Sequence, residues 1–348
     1  MTRLAASSKT GSKFLIKIKN LFSFFSPEHE IYRFFKDNIV ASYTREEAIA
    51  HSFMAVIFIL SIGTFLLNAW VFHFTPTISS LNMVFFIPLW MVWWVIGHIH
   101  RPKWPRFGLV AATFANVGIC TIIFMINWSA VLSTPFVIID YHLVKWDHWL
   151  GFDVTTFMAW ANQFPHLMKI FWFSYGTWEY QVILTPFLLA ALNKSKEVNR
   201  YFTAAAICLI ICNLIYYFFP TIAPAGVMHS PYFIKAEYDL VARFYEVHQS
   251  LPITHWGSGM VSFPSGHVMY ALLVLYTVRK IKVVFYPLLV INCFLILATM
   301  AIGAHYLVDV IASFIIVTMV LLGMHFFLDR KSSLSESKIP ALNGLRDC

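Results

Sequence analysis

Along this chain, long apolar runs alternate with short polar stretches that carry most of the Lys and Arg residues. A helix needs about 20 mostly apolar residues to cross a bilayer. Eight segments fit that pattern: 51–74, 81–99, 107–128, 167–192, 201–219, 262–278, 283–302 and 305–328. Polar residues interrupt the fourth. The pattern predicts an all-α polytopic integral membrane protein with about eight transmembrane helices forming one helical bundle. No repeat or low-complexity linker divides it. The expected organisation is a cytoplasmic basic segment over 1–50, a membrane domain over 51–328 and a cytoplasmic tail over 329–348. Within the first segment, "KFLIKIKNLFSFF" reads as an interfacial basic amphipathic helix, because Lys17 and Lys19 break its apolar run and no small-residue cleavage site follows.

Composition agrees with a membrane setting. Of 348 residues, 59% are apolar and 12% are charged, about half the charged fraction of a soluble domain. Mean hydropathy is +0.68. The net charge of +8 is spread among short loops, as membrane topology demands, so anionic membrane lipid is the expected partner and nucleic acid is not. Residues 1–50 hold eight Lys or Arg, "HRPKWPR" three, "NKSKEVNR" three, "RKIK" three and the tail after Leu328 four. Every second loop is basic, which predicts that both termini are cytoplasmic. Four of the five cysteines, Cys120, Cys208, Cys212 and Cys293, fall inside apolar spans as small hydrophobes. Cys348 lies in the tail, and the five show no metal-ligand spacing.

Two polar motifs stand at the mouths of apolar runs, "SFPSGHVMY" (262–270) and "GAHYLVDV" (303–310). Both lie at the predicted extracytoplasmic end. In the first, Pro264 suits the first helical position. Ser265 and Gly266 then fall in a first turn whose free N–H groups and positive helix end suit a phosphate. In the second, His305 and Asp309 are four residues apart, on one helical face. A carboxylate holding one imidazole nitrogen leaves the other free to attack. His305 is thus the candidate nucleophile, Asp309 its orienting partner and His267 a general acid for the departing oxygen. His98, His100, His142 and His148 read as interfacial polar residues. Asp309 stands apart from these, because an ionisable side chain inside an apolar span is costly.

"PSGH" followed some 38 residues later by "HxxxD" resembles the type-2 phosphatidic acid phosphatase and vanadium haloperoxidase superfamily. That resemblance implies a helical-bundle phosphatase core, a phosphohistidine on His305, His267 as the acid and Ser265 with Gly266 as phosphate ligands. "GFDVTTFMAWANQFPHLMKIFWFSYGTWEYQ" and "YYFFPTIAPAG" look like the inositol phosphorylceramide synthase branch, and the similar segments run from about 150 to 325. Two features depart from the superfamily pattern. No Lys or Arg occurs between Tyr201 and Ile234, and Ala298-Thr299 stands where a Ser-Arg pair is usual. The transferase branch shows the same loss of cations. Lys145, Lys235 and Arg243 in the outer loops are the remaining sources of positive charge, and Trp256, His248 and His255 share the loop 220–261 with Lys235 and Arg243.

The expected function is a lipid phosphatase or phosphotransferase acting on the headgroup of a phospholipid, a sphingolipid or a polyprenyl phosphate at the extracytoplasmic face. Its partners are the lipid phosphate substrate and water or a lipid hydroxyl as acceptor. No cofactor or metal is required when His305 is itself the nucleophile. The transferase alternative remains open at this point. So does a metal-dependent lipid oxygenase using His267, His305 and Asp309 as ligands, and so does a lipid transporter without enzymatic activity.

Overall fold

The computed structural model describes residues 42–73, 85–249 and 262–329, with a few more among 30–39 and 251–255. The N-terminal amphipathic segment, Trp256 and the C-terminal tail lie outside the described residues. Among the described residues from Arg45 onward, twelve α-helices follow one another: α1 (Arg45–Trp70), α2 (Ile87–His100), α3 (Pro105–Leu132), α4 (Asp140–Trp149), α5 (Val154–Asn162), α6 (Pro165–Gly176), α7 (Trp178–Ala191), α8 (Ser195–Phe218), α9 (Lys235–His248), α10 (Gly266–Val278), α11 (Lys282–Ala301) and α12 (Leu307–Met324). There is no strand among the described residues.

Among the described residues, five helices, α1, α3, α8, α11 and α12 with its extension to Leu328, are long and apolar enough to cross a membrane. The second, fourth and sixth predicted spans fall on helices of 12 to 14 residues. The fourth is two helices, α6 and α7, that meet at Thr177. There the Thr177 hydroxyl donates to Ser174 O and accepts from Gln181 Nε2, so the polar residues that interrupt the apolar run mark a real break. The long helices turn large apolar side chains outward: Ile59 is 67% exposed and Val283 is 82% exposed. Surface of that kind is at home in hydrocarbon, not in water.

Helix α8 runs through the centre of the bundle and packs on α1, α10 and α12. Tyr201, Phe202, Cys208 and Cys212 of α8 bury against Met54, Leu273, Val274, Val317 and Val320. Cys120, Cys208, Cys212 and Cys293 carry free thiols.

At one end of the bundle three chain segments are tied together. Thr44 and Glu47 cap α1 reciprocally, with Glu47 N donating to Thr44 Oγ1 and Thr44 N donating to Glu47 Oε2. The other oxygen of Glu47 pairs with Arg101 Nη1, while Arg101 Nη2 donates to Ser195 Oγ. His98 is buried at 3.7 Å from Glu47, so it belongs to this network and not to an exposed interface. The motif residues lie at the other end of α8, where Thr221 receives the chain just before α10.

Candidate active site

Three elements converge where α8 ends and α10 and α12 begin. The turn after α11 comes first. Gly303 adopts φ +83°, and a Cβ there would meet Phe233 and Met158 at 2.5 and 2.8 Å, so both the backbone angle and the space call for glycine. This turn lets Thr299 O accept from both Ala304 N and His305 N, each at 3.0 Å. The backbone of His305 is thereby fixed before α12 starts.

The side chain of His305 is fixed by two acceptors. Its Nδ1 lies 3.0 Å from Ser262 O and 3.2 Å from Asp309 Oδ2. A backbone carbonyl can only accept, so Nδ1 carries the proton and Nε2 keeps its lone pair. Ser262 Oγ donates to the same Asp309 oxygen at 2.7 Å, and Tyr306 N donates to it at 2.9 Å. Ser262 is held in turn, because Thr221 Oγ1 accepts from Ser262 N and Phe263 N.

His305 and Asp309 meet as the spacing predicts, but not from one helical face. Helix α12 begins at Leu307, with Tyr306 as N-cap. His305 precedes the cap, and Asp309 folds back from the first turn to reach it.

His267 completes the group. Its Nδ1 is 3.3 Å from His305 Nε2, so His267 donates to the lone pair that Asp309 and Ser262 leave available. Aromatic rings hold His267 on two sides: Tyr175 stacks at 4.5 Å between centroids, and Trp178 lies at 4.7 Å. Ser265 is the N-cap of α10, its Oγ accepting from Val268 N at 3.4 Å, and Gly266 is the first helical residue. Pro264 therefore lies before the cap and not at the first helical position. A Cβ on Gly266 would have open space around it, and the amides of Gly266 and His267 point out of the helix end.

Two carboxylates that the sequence reading passed over shape this end. From α4, Asp147 accepts from the N–H groups of Leu307 and Val308, each at 2.9 Å, and so caps α12 from another helix. Asp140 accepts from Tyr306 OH at 3.0 Å and from Ile222 N at 3.0 Å, joining the segments on either side of His305. Burial pushes Asp140 up to about 7 and Asp147 up to about 6. The partners are 82 to 166 residues away in sequence, and an Asp on a short polar helix gives no signal of them.

Of the three positive charges considered for the site, the two lysines are exposed and Arg243 is half-buried. Lys235 is 88% exposed and pairs with Asp239 at 3.1 Å, and Lys145 is exposed. Arg243 lies further along α9 and shares its field with Glu246. Among the described residues, no three His, Cys, Asp or Glu side chains converge as metal ligands. Asp309 addresses the His305 nitrogen opposite the one that faces His267, so these three do not form the two-His-one-carboxylate face of an oxygenase.

No curated protein and no solved structure matches the chain. The sequence over residues 141–323, more than half of the chain, matches the PAP2 superfamily. That segment begins within α4, which caps the site, and ends in α12, which carries Asp309. With the two histidines, the carboxylate and the helix end all inside the matched region, the chain belongs to the PAP2 superfamily, a group of phosphoesterases.

Proposed function

We propose that this chain is a membrane-embedded lipid phosphoesterase acting through a phosphohistidine on His305. The observation that carries the reading is the tautomer of His305, with its proton held between Ser262 O and Asp309 and its lone pair directed at His267. In the first half of the reaction, Nε2 attacks phosphorus and the bond to the leaving oxygen breaks. The incoming phosphoryl group takes the place of the hydrogen bond between the rings, and His267, an imidazolium once the anionic substrate is bound, gives its freed Nδ1 proton to the leaving oxygen and returns to the neutral ring. Asp309 stabilises the positive charge on the His305 ring. Ser265, Gly266 and the end of α10 receive the phosphoryl oxygens. In the second half a hydroxyl attacks the phosphohistidine, its proton passes to the now neutral His267, the P–N bond breaks and Nε2 recovers its electron pair.

The acceptor in this reading is a lipid hydroxyl, as in the inositol phosphorylceramide synthase-like branch, with water as the competing acceptor. The peripheral position of Lys145 and Lys235 and the presence of buried Asp140 and Asp147 favour a site that relies on helix ends and a bound partner over one that grips any phosphate monoester. The alternating basic loops support an extracytoplasmic site with cytoplasmic termini.

The test is purified protein with radiolabelled phospholipid, sphingolipid and polyprenyl phosphate substrates, with and without ceramide or diacylglycerol. Product formation that vanadate blocks, EDTA spares and His305→Ala abolishes supports the reading. EDTA inactivation reversed by iron, or His305→Ala retaining more than about a tenth of wild-type turnover, overturns it.

A further inference from the structure

The reaction above needs His267 as an imidazolium, and among the described residues no carboxylate pairs with its ring. The charge that develops on His305 is met by Asp309 at 3.2 Å. What lies against His267 is aromatic carbon. The Tyr175 ring stacks on it with 4.5 Å between centroids and 22° between planes, and the Trp178 ring lies at 4.7 Å and 44°. Both distances fall inside the roughly 6 Å over which a cation is attracted to a ring face.

Local folding fixes these two rings. Tyr175 stands in the last turn of α6 and Trp178 opens α7, on either side of the break at Thr177. Thr177 Oγ1 donates to Ser174 O at 2.6 Å and accepts from Gln181 Nε2 at 2.8 Å, while Gln181 Oε1 accepts from Asn292 Nδ2 of α11 at 2.7 Å. The break is thereby pinned, and α7 is tied to α11. Trp178 also meets Tyr270, three residues along α10 from His267, edge to face at 6.1 Å. The interruption between the two helices thus serves to set two aromatic faces against the acid.

We infer that Tyr175 and Trp178 are positioning residues whose ring faces hold His267 in its imidazolium form until the leaving oxygen takes the proton; this rests on the phosphohistidine reading above. When Nε2 of His305 forms the P–N bond, the P–O bond to the leaving group breaks, the Nδ1 proton of His267 passes to that oxygen, and the ring between the aromatic faces becomes neutral. The rings exclude water, which costs the charged form, and their π faces offset that cost. An ion pair with a carboxylate would hold the imidazolium more firmly and make it a weaker acid, whereas a ring face offers no acceptor that competes with the leaving oxygen.

The experiment uses full-length protein in detergent–lipid micelles with two esters: ³²P-phosphatidate, whose alkoxide needs a proton to leave, and an alkyl-chain 4-nitrophenyl phosphate, whose phenolate leaves without one. Trp178→Leu and Tyr175→Leu each remove a π face, and each should lower kcat on phosphatidate about tenfold with KM unchanged. Both should turn over the nitrophenyl ester within about threefold of wild type. Trp178→Phe and Tyr175→Phe keep a ring and lose the polar atom, including the Trp178 Nε1–H that has no partner among the described residues. They should hold phosphatidate turnover within about threefold of wild type. Fluorinated tryptophans in place of Trp178 keep the shape and weaken the π face, so phosphatidate turnover should fall with each added fluorine, a readout that stands even where a leucine variant fails to fold. Equal losses on the two esters overturn the inference, as do phenylalanine variants as slow as the leucine ones or a rate indifferent to fluorination. His267→Ala should show the same split between esters, and more strongly. A split for His267→Ala without one for the ring variants overturns the inference alone, and equal loss on both esters for His267→Ala overturns the acid assignment of the reading above, and this role with it.

Discussion

At the scale of single residues, a chain of acceptors sets the tautomer of His305: Thr221 orients the backbone at Ser262, the Ser262 carbonyl accepts from Nδ1, and the Ser262 hydroxyl holds Asp309 in place. Two substitutions separate these contributions. Asp309→Asn can still accept from Nδ1 through its amide oxygen, but it cannot stabilise the imidazolium that forms during attack. Turnover should fall by a factor of about a thousand, and the double variant with His305→Ala should be no worse than His305→Ala alone, because groups acting as one unit lose their shared function once. Near-normal turnover of Asp309→Asn would reduce Asp309 to a helix cap. Ser262→Ala removes one donor to Asp309 and keeps the carbonyl, so the expected loss is about tenfold, seen in kcat and not in KM. The pairing of His305 with Asp309 was legible from their spacing. The part of Ser262 was not, since a backbone carbonyl leaves no mark in a sequence and its partner is 43 residues away.

Among the elements, α4 decides how α12 begins. Asp147 supplies acceptors to two amides at the start of α12, and Asp140 holds the hydroxyl of the N-cap residue Tyr306. Helix starts need such acceptors, and loss of a cap costs about 1 kcal/mol. Asp147→Ala should lower the midpoint of thermal unfolding by a few degrees and slow turnover by loosening His305, with a smaller rate loss than His305→Ala. Asp140 adds a dependence on pH. Its folded-state value of about 7 lies above the ordinary Asp value near 3.9, so the folded protein binds this proton more tightly than the unfolded chain. The contribution is fully present below about pH 4 and is lost as pH rises through about 7. Thermal midpoints of wild type relative to Asp140→Asn, which has no proton to lose, should therefore decline between pH 4 and 7.5; a flat difference would show that Asp140 does not titrate in this range. The sequence disclosed the apolar helices well because hydropathy is a local property. It did not disclose α4 as a structural clamp, because its two carboxylates act on the far end of the chain. Helices α6 and α7 read as one span for a related reason: the polar residues that interrupt the run bond locally at Thr177, where one helix ends and the next begins.

Across the described molecule, the His305–His267 pair and the basic loops around Arg101 and Ser195 occupy opposite ends of α8. Ser195 at its first turn joins Arg101 and Glu47, while Tyr217 and the residues after Phe218 lead to Thr221 and the His305 turn. Lys103 and Lys196 flank the first end, and Lys235 and Asp239 on α9 flank the second. If the excess of Lys and Arg in short loops sets the orientation, the first end faces the cytoplasm and the second faces outward. In a background with all five cysteines replaced, Lys235→Cys should react with a membrane-impermeant thiol reagent in intact cells, and Lys103→Cys only after permeabilisation. Both side chains are exposed, so neither outcome depends on opening the bundle. The reverse labelling pattern would put His305 on the cytoplasmic side and move the lipid substrate to the other leaflet. It would leave the geometry of the histidine pair untouched, because the contacts that fix it are all internal to one end of the bundle.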